Sequence, residues 1–126
     1  MSKVVLSLEA PLPIGPYSQA IKVPPNLVFL SGQVPIDPKT KKIEATDIKG
    51  QTRQVLDNLK SVVQAAGGQM SNIVKTTVLL ADMNLFGEMN AVYGEYFSVE
   101  PPARSTFAVK GLPLSALVEI EAIAAL

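Results

Sequence analysis

The chain has 126 residues, 48% of them hydrophobic, which is one domain's worth with enough apolar surface for a core, and it carries no Cys, His or Trp. That composition excludes disulfides, thiolate nucleophiles, Cys/His metal sites, His-containing triads and paired-His ribonuclease chemistry. The 11 basic and 11 acidic residues cancel, so no broad positive field exists to hold a phosphate backbone, and no apolar run is long enough for a membrane span.

Residues 1–11 carry one Lys, one Glu and no long apolar run, which matches neither a secretory signal nor an Arg-rich transit peptide. A cytoplasmic chain is expected, with an organelle left open. All 10 prolines fall between Pro11 and Pro38 or between Pro101 and Pro113, which assigns the helices to the proline-free middle. No repeat, low-complexity tract or linker interrupts the chain, and residues 1–126 read as a single domain.

Residues 17–23 alternate and stop at Pro24-Pro25-Asn26, and 27–30 form an apolar run ending at Ser31-Gly32, which predicts a hairpin. From Ile48 an apolar stripe of Val55, Leu56, Leu59, Val62, Val63 and Ala66 predicts an amphipathic helix, with Thr46 or Asp47 as its cap and Gly67-Gly68 as its stop. Residues 73–80 are β-branched and apolar, a largely buried strand. Asn84 can cap a second helix with its stripe running from Leu85 to Phe97. Strands over 103–109 and 117–124 follow, separated by a Gly111-Leu112-Pro113 turn.

That order predicts an α+β fold, a single sheet with two helices packed on one face. In the last strand Val118, Ile120, Ala122 and Ala124 should meet the helices, while Leu117, Glu119, Glu121 and Ile123 point away. The second set is too apolar for water and too charged for a monomer core, so a subunit contact is expected there.

Arg104 stands in a small, apolar strand, on one face with Thr106 and opposite Phe107 and Val109. A guanidinium there needs an anion, either Glu119 or Glu121 of the same chain or a bound carboxylate, which its fork grips bidentately. Arg53, on the polar side of the first helix, reads as a solvated charge. Glu119 and Glu121 share a strand face with their Cα atoms about 6.6 Å apart, and neighbours on one strand cannot flank a glycosidic bond from its two sides. One of them can hold or deprotonate a water; otherwise both are solvated or Lys-paired rim charges. Around Asn90, Gly87 and Gly94 lower the helix wall, for close packing by the sheet, which the pattern favours, or for a small cavity. Tyr17 and Ser31 are weak candidates on their own, and no phosphate-binding glycine motif is present.

Taken together, Gly15-Pro16-Tyr17-Ser18, Ser31-Gly32-Gln33, Asp57-Asn58-Leu59, Val74-Lys75-Thr76-Thr77-Val78, Met89-Asn90-Ala91, Pro102-Ala103-Arg104-Ser105 and Val118-Glu119-Ile120-Glu121-Ala122-Ile123-Ala124 closely resemble the RidA (YjgF/YER057c, L-PSP) family. The resemblance covers about residues 3 to 125. It implies a chorismate-mutase-like fold, a homotrimer with pockets between subunits, and hydrolytic deamination of reactive 2-imino or enamine acids to 2-keto acids and ammonia, with no metal or organic cofactor. By the same resemblance Arg104 clamps the substrate carboxylate and Glu119 positions water or relays its proton. Tyr17, Ser31, Asn90 and Thr106 line the pocket. Thr106 departs from the family pattern, in which many deaminating members have Cys; a hydroxyl keeps a donor and an acceptor but not a thiol's acidity. The alternatives are an endoribonuclease or translation inhibitor of the L-PSP type, disfavoured by the charge balance, and a non-enzymatic trimer that binds small carboxylates.

Overall fold

A computed structural model describes residues 3–24 and 26–126. Met1 and Ser2 of the N-terminal stretch and Pro25 of the expected turn lie outside the described residues. The chain forms β1 (Lys3–Val5), β2 (Ala20–Val23), β3 (Leu27–Gln33), α1 (Ile48–Ala65), β4 (Ile73–Leu80), α2 (Phe86–Tyr96), β5 (Ala103–Ala108) and β6 (Val118–Ala125). One six-stranded mixed sheet results, in the order β1-β2-β3-β6-β4-β5. Only β4 and β5 pair in parallel, and α2 connects them. No helix among the described residues is long and apolar enough to cross a membrane.

Both helices cover one face, as the element order predicts. Asp47 caps α1 by accepting from the Gly50 N–H, and α1 ends where Gly67 takes φ 93°, a left-handed turn that suits glycine. Val55, Leu59, Val62 and Val63 of α1 pack with Met89 and Tyr93 of α2 over Val28, Val78, Val118 and Ile120 of the sheet, all of them buried. The alternation expected in β6 holds, except that Leu117 lies just before the strand and packs against the core.

Three local expectations are corrected. Tyr17 belongs to a loop, and β2 begins only at Ala20, because Tyr17 N–H turns back to the Gly15 carbonyl at 2.9 Å rather than joining a ladder. The second helix starts through a short 3-10 turn, Met83–Leu85, and Asp82 rather than Asn84 is the cap, its carboxylate accepting from the Asn84 N–H. Strand β1 was not signalled: three residues at a sheet edge carry too little pattern.

The opposite face of the sheet has no helix over it. Phe29 and Phe107 there are 43% and 50% exposed, among the charged side chains Lys75, Glu119 and Glu121.

Candidate active site

The sheet divides the six residues singled out from the sequence into two sets. On the helix-covered side, β5 runs parallel to β4 with Arg104 beside Thr76 and Thr106 beside Val78. Thr76 and Val78 are fully buried under the helices, so Arg104 and Thr106 face α2. The Arg104 guanidinium donates to Asn90 Oδ1 at 2.8 Å and lies 4.6 Å from the centre of the Tyr93 ring and 5.4 Å from that of Phe86. Tyr93 is itself fixed by a 2.7 Å hydrogen bond with Thr76. Burial pushes the Tyr93 phenol up, partly offset by that bond and by the neighbouring Arg104 charge. Rings and an amide thus hold the guanidinium, and among the described residues no carboxylate pairs with it.

Thr106 Oγ1 is buried beside Arg104 and has no hydrogen-bond partner among the described residues. The glycines of α2 behave differently from the favoured expectation. A Cβ at Gly87 or Gly94 would meet nothing within 4 Å, so the sheet does not pack against them and the surface beside Asn90 is open.

On the other side, Glu119 pairs with Leu79 and faces away from the helices. Across from it β3 bulges: Ser31 and Gly32 together stand against Glu121 alone, between the pairs Leu30–Ala122 and Gln33–Ile120. The Glu119 carboxylate lies over Gly32, and a Cβ on Gly32 would sit 3.0 Å from Glu119 Cδ. Only glycine leaves that space free. Burial, and after it the charge of Glu121, raises the pKa of Glu119 above the ordinary carboxylate value.

Glu119, Tyr17, Ser31 and Gly32 line an open pocket of about 330 Å³ whose other walls are mostly aliphatic, among them Leu12, Ile14 and Leu114. Ser31 donates its hydroxyl to the Ser18 carbonyl, which ties the bulge to the Tyr17 loop. Glu121 lines one recess with Phe29, Lys75 and Thr77 and another with Tyr17 and Ser31, and among the described residues neither carboxylate makes an ion pair.

The same-chain partner considered for Arg104 is therefore not Glu119 or Glu121. Both glutamates point to the face opposite the guanidinium, because Leu79, which pairs with Glu119, alternates with the inward-facing Val78 and Leu80. Arg53 is exposed as expected but not free: it grips Glu95 bidentately at 2.7 and 3.1 Å, joining α1 to α2. No cluster of three or more potential metal ligands occurs among the described residues.

Two buried amides that shape the pocket were missed. Gln19 accepts from Ser7 N–H at 2.6 Å and donates to the carbonyls of Ser7 and Pro11 at 3.1 and 2.7 Å, pinning the arm that carries Leu12 and Ile14. Asn58 donates to the carbonyls of Val34 and Ile36 at 3.3 and 3.0 Å and holds another wall. For Asn58 the available signal was a polar amide within the buried stripe of α1, where a side chain must find partners.

The family model described as Endoribonuclease L-PSP matches residues 7–126. A RutC family protein of Pyrococcus horikoshii is 54% identical over 98% of this chain and 98% of its own. The 2-iminobutanoate/2-iminopropanoate deaminase of Mus musculus is 46% identical over 97% of this chain and 90% of its own. The crystal structure of the YjgF gene product from E. coli superposes with a TM-score of 0.92 at 43% identity, covering 98% of each chain.

Proposed function

Because the chain belongs to the RidA (YjgF, endoribonuclease L-PSP) family, we propose that it hydrolyses reactive 2-imino and enamine acids, such as 2-iminopropanoate and 2-iminobutanoate, to 2-keto acids and ammonia. One observation carries the reading: Arg104 is held by Asn90 and two rings with no carboxylate among the described residues paired to it, leaving its fork for a small acid.

Arg104 fixes the substrate carboxylate, and Asn90 fixes Arg104. Glu119, with its pKa raised toward working pH, takes a proton from water as the oxygen bonds to the imine carbon. Glu119 returns that proton to the nitrogen, the C–N bond breaks, and the hydroxyl proton passes to the departing ammonia as the carbonyl forms. Iminium plus water thus gives keto acid plus ammonium. A protonated imine is already electrophilic, so positioning and a carboxylate that relays water's proton suffice. Thr106 and Ser31 serve as pocket walls; no base stands ready to make Thr106 a nucleophile.

The two half-sites lie on opposite faces, so they meet only when one protomer's Arg104 side meets the next protomer's Glu119 side. A contact between unlike surfaces repeats around a ring, and a homotrimer is the assembly we propose. The exposed Phe29 and Phe107 suit such an interface.

The test generates 2-aminoacrylate in situ with a pyridoxal-phosphate lyase and follows pyruvate release with and without the protein. Acceleration over the spontaneous rate is expected. Pyruvate binding without acceleration would support the non-enzymatic carboxylate binder instead. RNA cleavage that weakens steeply with salt would support the ribonuclease reading.

A further inference from the structure

Leu114 has a backbone that its sequence does not favour. It sits at φ 57° and ψ 27° and is followed by Ser115 at φ 55°, two consecutive left-handed residues without a glycine. Its side chain is 61% exposed, so core packing does not offset the strain. Strain of this kind persists where the surroundings over-determine it, commonly at ligand sites. Leu114 lines the Glu119 pocket, facing an arm whose Leu12 and Ile14 are also exposed and which the buried Gln19 amide holds in place.

We infer that Leu114, held in a left-handed turn at the pocket that contains Glu119, is a specificity-determining residue that selects imino acids with branched aliphatic side chains. The inference rests on the proposed deaminase function and names the substrate class of the same site. The chemistry of the walls gives the class. Leu12, Ile14, Val34, Ile36 and Leu114 offer apolar surface, and Glu119 is the only charged residue in the lining among the described residues. An acidic substituent would meet that carboxylate, and a basic one would pair with it and occupy the proton acceptor.

The experiment compares the wild type with Leu114→Gly and Leu114→Met. Its substrates are 2-iminopropanoate and the imine of leucine, the second generated by an amino-acid oxidase in the presence of catalase. The wild type should process the leucine-derived imine with the higher kcat/KM. Leu114→Gly should reduce that preference about tenfold, the usual worth of a lost aliphatic contact in a pocket. It should also raise the thermal midpoint at fixed concentration, because glycine accepts the left-handed backbone. Leu114→Met, which restores an apolar wall, should retain the preference. A purely structural role would not move stability and selectivity in opposite directions.

An unchanged preference in Leu114→Gly would overturn the inference, as would a wild type that favours the smaller imine. Dissociation of Leu114→Gly with its preference intact, seen by light scattering, would assign Leu114 to a subunit seam and overturn it too. Calorimetric titration with 4-methyl-2-oxopentanoate and pyruvate reads the same preference without turnover. Absence of hydrolysis with that binding preference intact would therefore refute the deaminase reading and leave the pocket assignment standing.

Discussion

Arg104 and Glu119 occupy opposite faces of one sheet: the guanidinium bonds to Asn90 on the helix-covered side, and the carboxylate lies over Gly32 on the bare side. A substrate that touches both must lie between two copies of the chain.

Complementation follows from that geometry. Arg104→Ala and Glu119→Gln should each be nearly inactive. Co-expressed in equal amounts, they should recover roughly a quarter of wild-type activity, since half the protomers supply a native Arg104 and half of their neighbours a native Glu119. Rate assays on the mixed oligomers, sized by light scattering, decide. Mixtures that stay inactive would place both groups in one protomer's site.

Replacing Arg104 by Ala should lower kcat/KM by about a hundredfold or more, and Lys should rescue poorly because it lacks the planar fork. Stability should change by only about 1 kcal/mol, the worth of the lost ring contact, since no buried carboxylate is orphaned. Urea titration beside kinetics separates the two effects. A collapsed fold would make Arg104 structural.

Glu119→Gln should cut turnover by roughly 10²-fold or more while carboxylate binding survives. Burial first, then Glu121, raises the folded-state pKa above 4.5, so the ionised carboxylate opposes folding. That penalty is present above the folded pKa, shrinks as pH falls through it and is gone below the unfolded value near 4.5. The variant should therefore be the more stable protein at pH 7, and denaturant midpoints of the two should converge toward pH 4. A variant less stable at pH 7 would contradict the assignment.

Gly32→Ala places a methyl group where the Glu119 carboxylate lies. Glu119 is half-buried and can swing aside, so the protein should fold, with turnover reduced about tenfold by misplacing the proton acceptor. Circular dichroism and kcat measure the two outcomes. Full activity would show that the position of Glu119 over Gly32 is not the working one.

Thr106→Val removes a buried hydroxyl that lacks a partner. It should leave stability unchanged or raise it by about 1 kcal/mol. Turnover should fall modestly with an altered preference among imines, and Thr106→Cys should be tolerated. If Thr106→Val proved as inactive as Glu119→Gln, or a substrate adduct formed on Thr106, the division of roles between the two would be wrong.

Much of this is legible in the sequence alone. The stripe from Val55 to Val63 fixes a helix by its period, and Val118, Ile120, Ala122 and Ala124 declare the buried face of their strand by theirs. Alternation alone puts Arg104 and Thr106 together and Phe107 opposite, as observed. The residue types restrict the chemistry to a guanidinium, carboxylates, hydroxyls and amides.

What alternation cannot supply is the relation between strands. Whether Arg104 and Glu119 share a face depends on how β5 and β6 each register against β4, and that pairing brings Arg104 beside inward Thr76 and Glu119 beside outward Leu79. The bulge at Ser31-Gly32, the arm pinned by Gln19 and the left-handed Leu114 are likewise products of contacts distant in the chain. A side chain's direction within its own strand is a local, period-two property that the sequence determines; which strands lie together, and in what register, is decided by the packing of the whole sheet against its helices.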